Sequence, residues 1–427
     1  MKVLLLGSGG RESAMAWALA RSSLVTQLYA APGNPGIQRV AETFPLNPEA
    51  AGEVVAAARR LGVDLVVVGP EAPLVAGVAD ALRADGIDVF GPGASAARIE
   101  GSKAYAKELM SAAGIPTARS ETFDDAVAAR ASLDTAEPPF VIKADGLAAG
   151  KGVVVTEDKT EAIEAIEDRL VRSAFGEAGS KIVIEEFLEG PEASVIAFVD
   201  GKSVLVCEPA QDYKRVFEGD AGPNTGGMGS YSPVPACPPE LAQQIAEEVI
   251  EPMVAVTAER NAPFVGALYA GLALTDRGPR VIEFNARFGD PETQALLPRL
   301  ASDFGELCLA SARGELAGMD LSWRPQACVA VVLASSGYPG SYETGFPIEG
   351  LDDVAQMDAV HVFHAGTTRK DREIVTAGGR VLAVAALGDD FGAARDRAYD
   401  AADRIGFEGK HVRRDIAQRA VSTEVSE

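Results

Sequence analysis

The chain has 427 residues, of which 47% are hydrophobic, and a formal net charge of −23. This length predicts about two to four domains, each with an apolar core. The acidic balance argues against a nucleic-acid or anionic-membrane surface, because such a surface needs a basic patch. The four scattered cysteines lack zinc or disulfide spacing, and no apolar run reaches membrane-spanning length. We therefore expect a cytoplasmic protein.

Residues 1–101 alternate short apolar strands with amphipathic helical segments. Continuous apolar runs at residues 2–6, 64–68 and 87–90 predict buried parallel strands, and each run ends in glycine or Gly-Pro. Such strands predict a doubly wound parallel sheet, with a ligand crevice at the carboxyl ends of the strands.

The first predicted strand leads into a glycine-rich loop, Gly-Ser-Gly-Gly-Arg-Glu at residues 7–12. A dinucleotide-binding fingerprint needs a third glycine where Glu12 stands, so the pattern disfavours NAD. Free N–H groups at the start of the next helix can still hold a phosphate. A purely structural tight turn is the other open interpretation.

A second unit begins after a helix predicted at residues 102–113, for which Ser102 is a candidate N-cap. Residues 140–156 predict a hairpin, with Lys143 near the end of its first strand and Lys151 in a glycine-rich tip. The tip can lie over phosphates, although its spacing does not match a Walker A loop. For either lysine alone, a surface charge is the competing interpretation.

An acidic connector and a glycine-rich stretch follow. The strand at residues 182–186 runs into a connector, 185–192, whose backbone can meet an adenine edge; an exposed acidic loop is the alternative. Residues 219–230 predict a strand-poor loop, and long loops inside compact domains are usually functional. From about residue 326, the pattern changes to that of a small α+β domain.

The most specific segment, residues 281–292, predicts a short strand with polar residues at alternate positions. Glu283, Asn285 and Arg287 would share a face, because side chains two residues apart in a strand point the same way. Carboxylate and carboxamide oxygens suit Mg²⁺, and a planar guanidinium suits a phosphate or carboxylate. For this segment alone, a solvated face with a surface ion pair is the alternative.

Taken together, three signatures resemble the ATP-grasp superfamily and, within it, the phosphoribosylamine–glycine ligase (glycinamide ribonucleotide synthetase) family. They are the lysine hairpin at residues 141–152, the loop Gly-Pro-Asn-Thr-Gly-Gly-Met-Gly at 222–229, and Arg-Phe-Gly-Asp-Pro-Glu-Thr-Gln at 287–294. The resemblance extends from Gly7 to Ile416. Ser13 and Tyr213 depart from it, since the family usually has histidine at both positions.

The resemblance implies a multidomain ATP-grasp fold of α/β and α+β type. Its parts would be an N-terminal Rossmann-like domain at residues 1–101, a catalytic ATP-grasp domain at 102–325 with a mobile lid at about 117–190, and a C-terminal α+β domain at 326–427. The implied reaction joins glycine to 5-phosphoribosylamine through glycyl phosphate, with ATP as co-substrate, in de novo purine biosynthesis. Mg²⁺ or Mn²⁺ would assist, and the protein would be a monomer or weak homodimer without nucleic-acid or membrane partners.

The resemblance also implies roles for individual side chains and backbone groups. ATP would be held by Lys103, Lys143, Lys151, Glu185, Phe187, Leu188 and Glu192. The metal would be bound by Glu283 and Asn285, and catalysis would involve Arg287 and Lys151. The glycine and amine substrates would meet Gly9, Gly10, Asp212, Lys214, Asn224, Thr225, Gly226, Gly227, Arg287 and Asp290.

Two other functions stay open on the sequence. One is another ATP-grasp carboxylate–amine ligase of nucleotide metabolism, such as a purine-pathway carboxylase or transformylase. The other is a non-catalytic nucleotide-binding protein. The presence of Glu283, Asn285 and Arg287 argues against the second, because a pure binder needs no metal-bridged γ-phosphate.

Overall fold

The computed structural model describes residues 1–147, 152–172, 174 and 176–424. Five parallel strands form the N-terminal sheet in the order β3-β2-β1-β4-β5, which confirms the predicted doubly wound sheet. The elements of this region are β1 Lys2–Gly7, α1 Gly10–Leu19, β2 Gln27–Pro32, β3 Glu42–Thr43, α2 Ala51–Leu61, β4 Leu65–Val68, α3 Glu71–Val75, α4 Val78–Ala84, β5 Asp88–Phe90 and α5 Ala94–Gly101.

The central strands of this sheet are aliphatic because helices cover them. All four residues of β4 are buried, and so are the last five of β1. At the carboxyl end of β1 the chain turns sharply at Gly7, whose φ is +127°, a conformation that favours glycine. The turn places the start of α1 at the edge where ligands bind in such sheets.

A separate antiparallel sheet, β6-β9-β7-β8, follows the helix α6. The side chain of Ser102 accepts a hydrogen bond from the Tyr105 amide (3.1 Å), so the predicted N-cap is confirmed. The sheet and two helices enclose a small core of their own. The lysine hairpin's tip, including Lys151, lies outside the described residues. The elements are α6 Lys103–Ala113, β6 Ser120–Phe123, α7 Ala126–Ser132, β7 Phe140–Ala144, β8 Val153–Thr156, α8 Lys159–Leu170 and β9 Ile182–Glu186.

A third sheet, β11-β10-β16-β17, has at its edge β17, which carries the predicted metal ligands Glu283 and Asn285 and is called the metal strand after that predicted role. Its long strands β10 and β16 pair antiparallel over nine residues of β10, from Glu192 to Asp200. The elements of this region are β10 Glu192–Asp200, β11 Val204–Val206, β12 Gln211–Asp212, β13 Arg215–Phe217, β14 Ala221–Asn224, β15 Gly229–Ser232, α9 Pro239–Ile245, α10 Glu251–Glu259, β16 Val265–Thr275, β17 Gly278–Asn285, α11 Glu292–Leu296 and α12 Phe304–Arg313.

The fourth sheet joins the middle of the chain to its C-terminal part, in the order β12-β15-β18-β22-β19, with β23 also paired to β18. The prediction of a strand-poor loop at residues 219–230 is wrong, because β14 pairs with β13 and β15 pairs with the distant β18. The remaining elements are β18 Ala327–Ser335, α13 Leu351–Val354, β19 Val360–His364, β20 Thr367–Lys370, β21 Glu373–Thr376, β22 Arg380–Gly388, α14 Phe391–Arg404, β23 Lys410–His411 and α15 Gln418–Glu424.

The four cysteines are all buried and carry free thiols. Within the described part of the chain, no helix has the combination of length and apolar character that crossing a bilayer requires.

Candidate active site

A cleft of about 860 Å³ lies where the N-terminal sheet, the β6-β9-β7-β8 sheet and the metal strand meet. Most of the predicted site residues line it, although they come from segments far apart in the sequence. The predicted residues in its lining are Lys103, Lys143, Glu185, Phe187, Leu188, Glu192, Asp212, Lys214, Asn224, Thr225, Gly226, Glu283, Asn285, Arg287 and Asp290.

Glu283 and Asn285 lie on β17, and both face the cleft. The pairing of β17 with β16 shifts register between Gly271 and Leu272, so Ile282 has no partner on β16. A bulge of this kind frees backbone groups. The freed carbonyl of Ile282 accepts a hydrogen bond from Lys143 Nζ (3.0 Å), which ties the metal strand to the lysine of β7.

Arg287 does not lie on the strand, so the prediction that it shares a strand face with Glu283 is wrong. β17 ends at Asn285, because the next amide, that of Ala286, donates to the Glu100 carboxylate (2.7 Å) instead of continuing the ladder. Arg287 nevertheless lines the same cleft from the segment that follows the strand.

Cationic side chains keep the Glu283 carboxylate ionised. Burial alone would raise its pKa, but Lys214, Lys143 and Lys103 outweigh burial and hold the pKa below its usual range. Glu283 therefore offers an anionic oxygen at neutral pH, two residues from the carboxamide oxygen of Asn285.

This donor pair fits a hard divalent cation. Among the described residues, no group of three or more His, Cys, Asp and Glu side chains is arranged to hold a metal by itself. One carboxylate and one carboxamide suit Mg²⁺, which keeps several positions for water and phosphate oxygens. The residues present therefore fit a metal that is shared with a nucleotide.

Lys143 is almost fully buried and is held by Glu185. Its ammonium lies 2.8 Å from one oxygen of Glu185, and the ammonium of Lys107 lies 3.2 Å from the other. The Glu185 carboxylate therefore fixes two lysines at the floor of the cleft. Lys107 was not identified from the sequence.

Lys103 enters the same cleft from the first turn of α6. Burial lowers its pKa, and the carboxylates of Glu283 and Asp145 oppose that effect. Asp145 also accepts hydrogen bonds from the Ser102 hydroxyl (3.1 Å) and the Ala104 amide (2.7 Å), so the hairpin and α6 are fastened together.

The acidic connector forms another wall of the cleft. Phe187 is 46% exposed there, so its ring is available to a planar ligand. At the end of the connector, the Glu192 carboxylate pairs with Lys214, and Asp212 lies 3.4 Å from the same ammonium. Burial raises the pKa of Asp212 to about 7, although Lys214 opposes the shift.

Arg287 is enclosed by two carboxylates from the N-terminal region. Its Nη2 lies 2.7 Å from Glu100 and its Nε lies 3.3 Å from Glu71. Burial would lower the pKa of Arg287, but these carboxylates raise it above its usual range. Neither glutamate was identified from the sequence, although Glu71 directly follows the Gly-Pro turn at a strand's carboxyl end.

Asp290 joins the N-terminal loop to the C-terminal part of the chain. It accepts hydrogen bonds from the Arg11 amide (3.4 Å) and the Gln294 carboxamide (2.8 Å), and it lies 3.3 Å from Arg380 Nη1. Burial would raise the pKa of Asp290, but Arg380 and Arg11 hold it below its usual range. Nothing in the sequence pattern singled out Arg380.

The glycines predicted to meet substrate fall into two groups. Gly226 lines the cleft, and its carbonyl accepts a hydrogen bond from Arg380 Nη1 (2.5 Å). Gly9, Gly10 and Gly227 are not part of the lining; they pack against the residues beside it. The Gly9 amide donates to Glu12 (2.6 Å), which closes the loop on itself as a tight structural turn would.

Family models match the chain over nearly its whole length. The model of the phosphoribosylglycinamide synthetase ATP-grasp (A) domain matches residues 101–293, that of the N domain matches 1–100, and that of the C domain matches 328–419. The chain belongs to the phosphoribosylglycinamide synthetase family.

Individual members of this family are similar along their whole length. The phosphoribosylamine–glycine ligase of Streptomyces coelicolor is 52% identical over 423 residues, which cover 98% of this chain and 99% of the relative. The crystal structure of the Thermotoga maritima ligase matches with a TM-score of 0.85 at 35% identity, over 98% of this chain and 100% of that one.

The fold is also found outside the phosphoribosylglycinamide synthetase family. The biotin carboxylase domain of the Hydrogenobacter thermophilus 2-oxoglutarate carboxylase, solved with MgADP and bicarbonate, matches with a TM-score of 0.74 at 18% identity. The match covers 96% of this chain and 91% of that one. At this identity the likeness shows a shared ATP-grasp fold.

The two positions expected to depart from the family pattern, Ser13 and Tyr213, have defined contacts. The hydroxyl of Ser13 accepts a hydrogen bond from the His364 amide (3.1 Å). The ring of Tyr213 lies beneath the Arg413 guanidinium, 4.9 Å from ring centroid to Cζ. Neither side chain lines the cleft.

Proposed function

We propose that the chain is an ATP-dependent ligase that joins glycine to 5-phosphoribosylamine, giving glycinamide ribonucleotide, ADP and phosphate in de novo purine biosynthesis. The observation that carries this proposal is the meeting of Glu283, Asn285 and Arg287 with Lys103 and Lys143 in one cleft. Family models and full-length relatives support it independently.

The reaction needs two displacements and no protein nucleophile. An oxygen of the glycine carboxylate attacks the γ-phosphorus of ATP, the bond to the ADP oxygen breaks, and glycyl phosphate forms. The nitrogen of phosphoribosylamine then attacks the acyl carbon, phosphate leaves, and the nitrogen loses a proton. Catalysis of such steps rests on positioning and on charge stabilisation.

For the nucleotide, we assign Lys103, Lys143 and Lys151 to the phosphates and the connector residues Phe187 and Leu188 to adenine. Lys143 is held in place by Glu185, so its ammonium is fixed before ATP arrives. Lys151 is assigned from the family resemblance alone. Glu192 would contact the ribose. In that case Lys214, which pairs with Glu192 in this structure, would change its partner as ATP binds.

For the metal, we assign Glu283 and Asn285, with Mg²⁺ or Mn²⁺ as the cation. A bound divalent ion would neutralise charge on the nucleotide's phosphates. Arg287 would face the transferring phosphoryl group, because it lines the cleft beyond the end of the metal strand.

For glycine and phosphoribosylamine, we assign the wall formed by Asp212, Lys214, Asp290 and residues 224–226, with Gly227 packed beside that wall. Gly9 and Gly10 would act indirectly, by fixing Asp290 beside the N-terminal loop. The pKa of Asp212, which burial raises to about 7, suits a group that takes up a proton from the attacking amine near neutral pH.

We further propose a cytoplasmic enzyme, active as a monomer or weak homodimer, without nucleic-acid or membrane partners. The formal charge of −23 supports the absence of a polyanion-binding surface.

The proposal is tested by measuring ADP release with ATP, a divalent metal and glycine, with and without enzymatically generated phosphoribosylamine. We expect turnover only when both substrates are present. Replacement of glycine by bicarbonate or formate distinguishes the other ATP-grasp ligases. Equal ADP release with either replacement would refute the glycine assignment.

A further inference from the structure

Glu100 contacts the segment after the metal strand with both of its carboxylate oxygens. One oxygen accepts a hydrogen bond from the Ala286 amide (2.7 Å) and the other lies 2.7 Å from Arg287 Nη2. The carboxylate thus fixes the backbone of one residue and the guanidinium of the next. Its side chain is 7% exposed, so few alternative partners compete for it.

Two further residues of the N-terminal region contact the same segment. Glu71 lies 3.3 Å from Arg287 Nε, and Arg11 Nη1 donates to the Phe288 carbonyl (3.1 Å). Arg11 Nη2 also lies 3.9 Å from Glu71, so Arg11, Glu71 and Arg287 form one connected group. The Glu71 side chain is 29% exposed and its contact with Arg287 is longer than that of Glu100.

The geometry points to Glu100 as a positioning residue that holds Arg287 toward the transferring phosphoryl group, with Glu71 as a weaker second support. The inference rests on the proposed function, because it assumes that Arg287 meets that group. Glu100 lies in the last turn of α5, one residue before that helix ends at Gly101 and three residues before Lys103 of α6. One helix junction therefore places both a phosphate-binding lysine and the carboxylate that aims Arg287.

In Glu100→Gln, the side chain keeps one oxygen, which can still accept a hydrogen bond from the Ala286 amide. The other oxygen is replaced by an NH₂ group, so the Arg287 guanidinium loses its anionic partner. We expect Glu100→Gln to lower kcat by about 10²-fold, the scale of loss for a displacement of about 1 Å. KM for ATP and for glycine should change by less than about 3-fold, because both oxygens of Glu100 are already occupied by Ala286 and Arg287.

Two variants provide the comparison. Glu71→Gln should cause a smaller fall in kcat, in keeping with its longer and more exposed contact. Glu108→Gln is the matched control: it removes a carboxylate from an exposed ion pair with Arg260 (2.9 Å) and should leave kcat unchanged. Unchanged kcat in Glu100→Gln, or an effect confined to KM, would overturn the proposal.

Guanidinium binding gives a readout that does not depend on turnover. In Arg287→Ala, millimolar guanidinium chloride should occupy the vacated position beside Glu100, raise Tm and restore part of the activity. Neither effect should occur in Glu100→Gln/Arg287→Ala. Equal Tm shifts in the two backgrounds would refute the role of Glu100. Failure of glycine to support ADP release in the unaltered enzyme would refute the proposed function instead, and the Tm comparison would still decide the role of Glu100.

Discussion

Replacement of Glu283 by glutamine tests the proposed metal site with little change of shape. Glutamine is nearly isosteric with glutamate, so packing of β17 should survive. The variant loses an ionised carboxylate that Lys103, Lys143 and Lys214 keep charged. A metal bound there would lose its anionic protein ligand, and Asn285 would remain as a neutral one.

The size of the effect follows from electrostatics in a sheltered cleft. Removal of one preorganised electrostatic contact from an active site typically costs about 2.7–4 kcal/mol. The retained carboxamide oxygen offsets part of this loss, which leaves a net cost near 3 kcal/mol. Since each factor of ten in rate corresponds to about 1.4 kcal/mol, turnover should fall by at least about 10²-fold.

Turnover should be followed by ADP release over a range of Mg²⁺ concentrations, and metal affinity by Mn²⁺ titration with ADP present. ATP affinity should change less than Mn²⁺ affinity, because the lysines and the connector still hold the nucleotide. Asn285→Ala should act in the same direction, and the double variant should be less than additive because both residues hold one ion. Near-normal turnover at limiting Mg²⁺ with unchanged Mn²⁺ affinity would refute the metal assignment.

Two further predictions concern stability and loop geometry. Burial lowers the pKa of His364 from 6.5 to about 4, so the unfolded chain binds more protons between these values. The contribution of neutral His364 to stability is therefore complete well above pH 6.5 and falls as the pH drops toward 4; in urea melts, the loss between pH 7 and pH 5 should be about 2 kcal/mol larger than in His364→Gln, which keeps the other histidine whose pKa burial lowers, His361. At Gly227, φ is +109° and a Cβ would lie 2.3 Å from Pro291 Cδ, so Gly227→Ala should lower both Tm and kcat. Gly219→Ala, where φ is +67° and a Cβ meets nothing within 4 Å, is the control, and equal behaviour of the two variants would contradict this reasoning.

Local signals accounted for much of the fold. The aliphatic runs that became β1 and β4 were recognisable because parallel strands covered by helices need apolar residues at every position. Ser102 was recognisable as an N-cap because its hydroxyl satisfies an amide within its own helix. Both signals depend only on nearby residues.

Long-range contacts were the part that the sequence pattern could not provide. The end of β17 at Asn285 depends on Glu100, nearly two hundred residues earlier in the chain. The ion pairs of Glu185 with Lys107 and Lys143 likewise depend on how α6 lies against β9. The periodicity of a segment predicts which face of a helix or strand is buried, but it does not predict which distant segment packs against that face.

The pairing of β15 with β18 also constrains how the polypeptide is made. Gly229 of β15 is opposite Val331 of β18. Roughly a hundred further residues must therefore be synthesised after β15 before its partner strand leaves the ribosome. Until then, its backbone amides and carbonyls have only β12 beside them. A gene truncated after residue 325 would encode a chain in which this edge stays open, and open strand edges promote aggregation. The last hundred residues therefore act as a folding partner for the region that carries residues 222–229, the segment proposed to contact the amine substrates.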